Sequence, residues 1–168
     1  GDESKNNNKS SYFITLFSFY GDDKLVLGTL SGIVFLNKKN FGYTSVPFYH
    51  NGKEIKVITS RVYTDNDGEI WAGTWTYGLL HYDKALNNFS DYRWEKDISS
   101  GMANIVSNVI AIKTGDTKIL YFGCRKGIYK MPLVPGTQQP DVKNISLFAH
   151  DDKLPNSISA GVAESFYK

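Results

Sequence analysis

Cysteine is almost absent from this 168-residue chain. The single Cys124 excludes an internal disulfide, a disulfide-built fold and a cysteine-rich zinc site, and it leaves the redox compartment open. An excess of one charge is also lacking, since 19 Lys and Arg face 17 Asp and Glu for a formal net charge of +2. Binding a phosphate backbone calls for a dense basic face, so nucleic acid is not an expected partner. No window approaches the roughly 18 consecutive apolar residues of a membrane span, and residues 1–11 hold no apolar signal core. No membrane contact is expected of this segment. A first residue of Gly instead of Met fits removal of an earlier signal or anchor. The three histidines, His50, His81 and His150, are scattered, and neither a Gly-x-Ser-x-Gly elbow nor a phosphate-cradling glycine loop occurs. No cofactor and no metal are expected.

Strand formers and turn formers are plentiful. Aromatics make up 14% of the chain and glycine occurs 15 times, a pairing that favours strands joined by tight turns. The chain also repeats itself. Leu25-Val26-Leu27-Gly28-Thr29 aligns with Ile70-Trp71-Ala72-Gly73-Thr74 and with Leu120-Tyr121-Phe122-Gly123-Cys124, and a second glycine follows in each, as Gly32, Gly78 and Gly127. The anchor glycines, Gly28, Gly73 and Gly123, stand 45 and 50 residues apart, the spacing of propeller blades. No unit contains a ten-residue helical apolar period, which excludes helical repeats.

The expected fold is therefore all-β, a partial β-propeller of about three four-stranded antiparallel blades plus the first strand of a fourth. The blades are placed at 12–50, 56–99 and 104–150 and the extra strand at 157–168, after a disordered leader over 1–11. In the second unit the strands are expected at 57–64, 69–74, 78–83 and 89–94. Because propellers close with about four to eight blades, this sequence is expected to be part of a larger ring. Val26, Trp71 and Tyr121 share one repeat position and are expected in the core. Uncovered faces on the two end blades are expected to drive self-association.

The run Asp65-Asn66-Asp67-Gly68-Glu69-Ile70-Trp71-Ala72-Gly73-Thr74, with Gly78-Leu79 and Tyr82-Asp83 behind it, resembles the two-component regulator propeller repeat. The third unit keeps Asn108-Val109, Gly123 and Gly127-Ile128 but has Tyr121 for the Trp and Cys124 for the Thr, and the first has Val26 at the Trp position. This resemblance implies a periplasmic sensor region of a bacterial hybrid two-component system that governs polysaccharide use. Kinase activity would reside in parts that these residues do not include.

Asp65-Asn66-Asp67-Gly68-Glu69 invites a calcium reading, but its glycine is fourth where an EF-hand loop needs it sixth, so a hairpin turn is the better reading. Trp75 and Tyr77 are different. The matching loops read Leu30-Ser31 and Arg125-Lys126, so the repeat itself demands no aromatics there. Aromatic faces stack on sugar rings and Arg forks onto a uronate or sulfate, which makes Trp75, Tyr77, Arg125 and Lys126 the candidate ligand-binding residues. Packing against the next blade or a partner is the plainer alternative. His81, between Leu80 and Tyr82, reads as a structural histidine. The leading function is a non-catalytic sensor module that binds an oligosaccharide or relays its signal. A piece of a propeller-fold glycoside hydrolase or lyase, which needs two carboxylates about 5 to 10 Å apart, and a protein-interaction propeller are the alternatives.

Overall fold

A computed structural model describes residues 13–94, 104–159, 161 and 166. The first blade is a sheet of β1 (Ile14–Tyr20), β2 (Lys24–Thr29), β3 (Gly32–Asn37) and β4 (Tyr43–Val46), paired in chain order. A short hairpin follows, β5 (Tyr49–His50) with β6 (Lys53–Glu54). The second blade holds β7 (Thr59–Thr64), β8 (Ile70–Thr74), β9 (Leu79–Asp83) and β10 (Asn88–Tyr92), and the third β11 (Asn108–Thr114), β12 (Thr117–Cys124), β13 (Gly127–Pro132) and β14 (Ser146–Phe148). Every pairing is antiparallel within its blade. The all-β partial propeller is thus the observed fold, and helix among the described residues is limited to one 3-10 turn, Val142–Asn144.

The anchor glycines stand where blades meet. A Cβ added to Gly73 would lie 2.8 Å from both Cγ1 and the carbonyl oxygen of Val106, at the entry to blade 3, and one added to Gly28 would lie 2.9 Å from Thr59 Cγ2, at the entry to blade 2. A side chain in either place would push the next inner strand away. Those entries also cross-link the blades, through Val106 N–H to Thr74 O at 3.0 Å and the Thr15 hydroxyl to Thr59 O at 2.7 Å, while Trp75 N–H to Ile58 O at 3.2 Å extends the β7–β8 pairing within blade 2. Val106 therefore bridges blades 2 and 3, and β7 and β11 begin later than the apolar pattern suggests.

Period-two alternation sends one set of side chains to each face of a blade. Val26, Ile33, Ile70, Ala72 and Leu80 fill the layer between blades 1 and 2. Trp71, Leu79, Val109, Leu120, Phe122 and Met131 fill that between blades 2 and 3. Of the three equivalent residues expected in the core, Val26 and Trp71 are fully buried, whereas Tyr121 is only half-buried. Tyr121 pairs with Ile110 and Lys130 on the face of blade 3 turned away from blade 2, so no described neighbour seals it. On the far face of blade 1, Phe17, Phe19 and Tyr43 are 53%, 64% and 55% exposed.

Two further expectations need comment. The β5–β6 hairpin is additional to the four strands per unit, and its turn is the Asn51-Gly52 pair, with φ of +51° and +74°. The strand expected over 157–168 falls largely outside the described residues, and within them 157–159 carries no strand pairing. There the Ser157 hydroxyl donates to Asp151 O at 2.9 Å and closes a turn.

Candidate functional site

Each blade has two edges, because successive turns of a meander lie at opposite ends of its strands. One edge carries the β2–β3, β8–β9 and β12–β13 turns together with the crossings from blade to blade. All four candidate residues lie there, Trp75 and Tyr77 in the β8–β9 turn and Arg125 and Lys126 in the β12–β13 turn.

The β8–β9 turn is held from beneath by Thr74. Its hydroxyl donates to Gly78 O and accepts from Tyr77 N–H, both at 2.9 Å, and Gly78 takes the positive φ of +69° that the reversal needs. Thr29 does the same in blade 1, donating to Gly32 O at 2.9 Å and accepting from Ser31 N–H at 3.0 Å. The Thr of the repeated Gly-Thr pair is a turn-closing residue. With its backbone fixed in this way and by the bond to Ile58, the turn presents the Trp75 indole 51% exposed.

Tyr77 goes elsewhere. It is half-buried, edge-on to Phe48 at 5.1 Å and to His50 at 5.3 Å, with the Arg93 guanidinium 5.7 Å from its ring centre. Arg93 Nε bonds Asp91 Oδ2 at 3.0 Å, its Nη2 donates to His50 Nε2 at 2.8 Å, and His50 Nδ1 donates to Asp91 Oδ1 at 3.3 Å. Tyr77 is therefore a floor beside the hairpin, while Trp75 is the exposed element. Tyr77 thus packs inside the chain, on the segment that precedes blade 2 and not on the next blade. Sequence reasoning missed His50, Asp91 and Arg93, since none of them falls at a repeated position. The signal available was Asn51-Gly52, a two-residue hairpin turn that brings His50 back against β10. Arg125 and Lys126 are exposed on the equivalent turn of the neighbouring blade, and both already make polar or electrostatic contacts.

The opposite edge carries acids, and they are tied down. Asp65 is buried, accepts from Asp67 N–H at 2.9 Å and Glu69 N–H at 3.0 Å, and meets Lys118 of blade 3 at 2.8 Å. Lys118 also bonds Asp67 at 2.7 Å and Gln138 at 3.0 Å. Burial pulls the Lys118 ammonium down, but its bonds to the two carboxylates outweigh this and hold it above the ordinary lysine value. The bond to Lys118 in turn holds Asp67 below the usual carboxylate range. Glu69 bonds His81 at 2.8 Å and Lys84 at 3.1 Å, and the His81 ring stacks on Trp71 with centroids 4.0 Å apart. Burial pushes His81 below its ordinary value, against the upward pull of Glu69. Asp65 keeps the turn role expected of it, with Gly68 at φ +74°, and adds a cross-blade ion pair that the sequence did not suggest. Among the described residues no three His, Cys, Asp or Glu side chains gather as metal ligands.

No family model and no curated protein matches the chain. Solved structures do. The chain is similar to the extracellular domain assigned to the hybrid two component system BT3049 from B. thetaiotaomicron, with TM-score 0.60 and 15% identity over 92% of this chain and 17% of that one. It is also similar to that of the hybrid two component system BT4673 from the same organism, with TM-score 0.56 and 17% identity over 88% of this chain and 23% of that one. The chain spans about a fifth of the length of these structures. The fold is theirs, and it agrees with the propeller repeat that the Asp65 to Thr74 run resembles. Among the described residues no helix is long and apolar enough to cross a membrane.

Proposed function

We propose that this chain is a non-catalytic sensor propeller of a two-component signalling receptor, working outside the inner membrane and binding an oligosaccharide at the edge that carries Trp75. The observation that carries the reading is the Trp75 indole, half-exposed on a turn whose backbone is fixed by Thr74 and Ile58. An exposed, rigidly mounted indole offers a flat apolar face to the C–H side of a pyranose at little entropic cost. Arg125 and Lys126, on the next blade, supply donors for hydroxyl, carboxylate or sulfate groups of the same ligand. The likeness to extracellular domains assigned to hybrid two component systems supports the sensor role and a periplasmic position.

The hydrolase or lyase reading finds less support. Glycosidic cleavage needs two carboxylates facing one sugar, and here Asp65, Asp67, Glu69 and Asp91 are each engaged by a lysine, histidine or arginine. Isothermal titration against defined oligosaccharides, with chromatography of the recovered sugar, tests the proposal. Binding of a defined sugar, recovered uncleaved, is expected. Release of shorter products would overturn the non-catalytic role, and failure of every sugar to bind would overturn the recognition role.

A further inference from the structure

At the edge away from Trp75, blades 1 and 2 leave an open notch of about 450 Å³, within the size range of small-ligand sites. Its wall is aromatic. Tyr20 and Phe35 lie 5.3 Å apart, Phe35 and Tyr82 also 5.3 Å, and the Lys24 ammonium sits 5.9 Å above the Phe35 ring centre. The rim is built from two turns, which contribute Asn37 and Asn40 from one side and Asn87 from the other.

All three amides have their oxygens engaged. Asn37 Oδ1 accepts from Lys39 N–H at 2.8 Å and Asn40 N–H at 3.2 Å, Asn40 Oδ1 accepts from Gly42 N–H at 2.9 Å, and Asn87 Oδ1 accepts from the Tyr82 hydroxyl at 2.8 Å. These bonds set the amide planes. They leave the three Nδ2 groups without an acceptor among the described residues, and Lys24 meets no carboxylate among them. The rim is thus rich in donors. The next notch along is different: Glu69 stands four residues before Gly73, as Lys24 does before Gly28, and Glu69 is occupied by His81 and Lys84. Among the described residues, Lys24 in the notch between blades 1 and 2 keeps its charge without an ion-pair partner, whereas Glu69 does not.

We propose that this notch is a second ligand site, for an acidic pyranose. The sugar ring lies against Tyr20 and Phe35, and its carboxylate or sulfate ester takes the donors of Lys24 and the asparagine amides. A charged acceptor gains more from such donors than a hydroxyl does, because charge-assisted hydrogen bonds are about twice as strong as neutral ones. The site is independent of the Trp75 edge and stands whether or not that edge binds sugar.

The test is titration of the chain with three probes: a disaccharide ending in glucuronic acid, the same disaccharide ending in glucose, and a 6-sulfated counterpart. At least one acidic probe is expected to bind about tenfold tighter than the neutral one, and the two acidic arms separate carboxylate from sulfate recognition. Lys24 is exposed, so Lys24→Met is expected to keep the parental melting temperature and to lose about tenfold in acidic-probe affinity. Asn87→Gly, which tolerates the positive φ of +49°, is expected to weaken the same probe severalfold. The same titrations in Trp75→Ala, whose other edge no longer offers its indole to sugar, isolate the notch, and the acidic preference is expected to persist there. Equal affinity for acidic and neutral probes, no acidic binding at millimolar concentration, or full affinity in Lys24→Met would overturn the proposal. Loss of the acidic preference in Trp75→Ala would overturn it too, by placing that preference at the other edge.

Discussion

The two edges of the blades use polar chemistry in opposite ways. Between blades 2 and 3, the edge with the first turns joins charge to charge: Lys118 bridges Asp65 and Asp67, and Glu69 holds His81 and Lys84. The other edge closes its β2–β3 and β8–β9 turns with threonine hydroxyls and backbone bonds and keeps the Asp91, Arg93 and His50 cluster beneath Tyr77, which leaves Trp75 uncommitted and outward. Where charges are satisfied internally, substitution costs stability. Where the scaffold is closed without the side chain, as at Trp75, substitution is expected to spare stability and, on the proposed function, to cost recognition. The acids between blades 2 and 3 are therefore read as structural, and the proposed site rests on an aromatic that the repeat does not require.

Substitutions that remove the buried contacts between blades 2 and 3 should have the largest effect. Trp71→Ala opens a cavity in a fully buried layer and removes the stack under His81, and a loss of about 3 to 5 kcal/mol in chemical denaturation is expected. Lys118→Met strands the Asp65 carboxylate in a buried position and should cost about 3 kcal/mol. A change within 0.5 kcal/mol would mean that the latch is ornamental and that the two edges do not differ as described.

Tyr77→Ala sits between the two classes. It removes a half-buried ring from Phe48, His50 and Arg93, so a loss of about 1 to 2 kcal/mol is expected alongside any effect on ligand. Retention of the parental denaturation midpoint would return Tyr77 to the recognition group. The pH effect is smaller still. His81 has a folded-state pKa below its ordinary 6.5, so its contribution is present above that value and is lost as pH falls through the lowered one, where the unfolded chain takes up a proton first. Stability should be lower at pH 5.5 than at pH 7.5, and His81→Gln should flatten that slope. An unchanged slope in the variant would remove His81 as its cause.

Much of this architecture was legible because repetition exposes geometry. Of the three glycines at one repeat position, Gly28 and Gly73 mark where the next blade presses in, each leaving under 3 Å for an added carbon. Burial was less legible, because it depends on a neighbour that the residue's own unit does not encode. Trp71 and Tyr121 share a position, yet only Trp71 is sealed by a described blade. The geometry of the candidate site was half legible. Trp75 stands out since its loop breaks the repeat, but Tyr77 stands out for the same reason and turns inward onto a hairpin that the four-strand unit does not contain. The pairing of Lys118 with Asp65 joins residues from different units, so no local pattern announces it.

The central claim is that the Trp75 edge recognises sugar without being needed for the fold. The most direct test is Trp75→Ala, measured side by side for oligosaccharide affinity and for denaturation midpoint. The account predicts at least a tenfold loss of affinity with stability within about 0.5 kcal/mol of the parent. Full affinity in the variant, or a denaturation midpoint lowered as far as in Trp71→Ala, would contradict it.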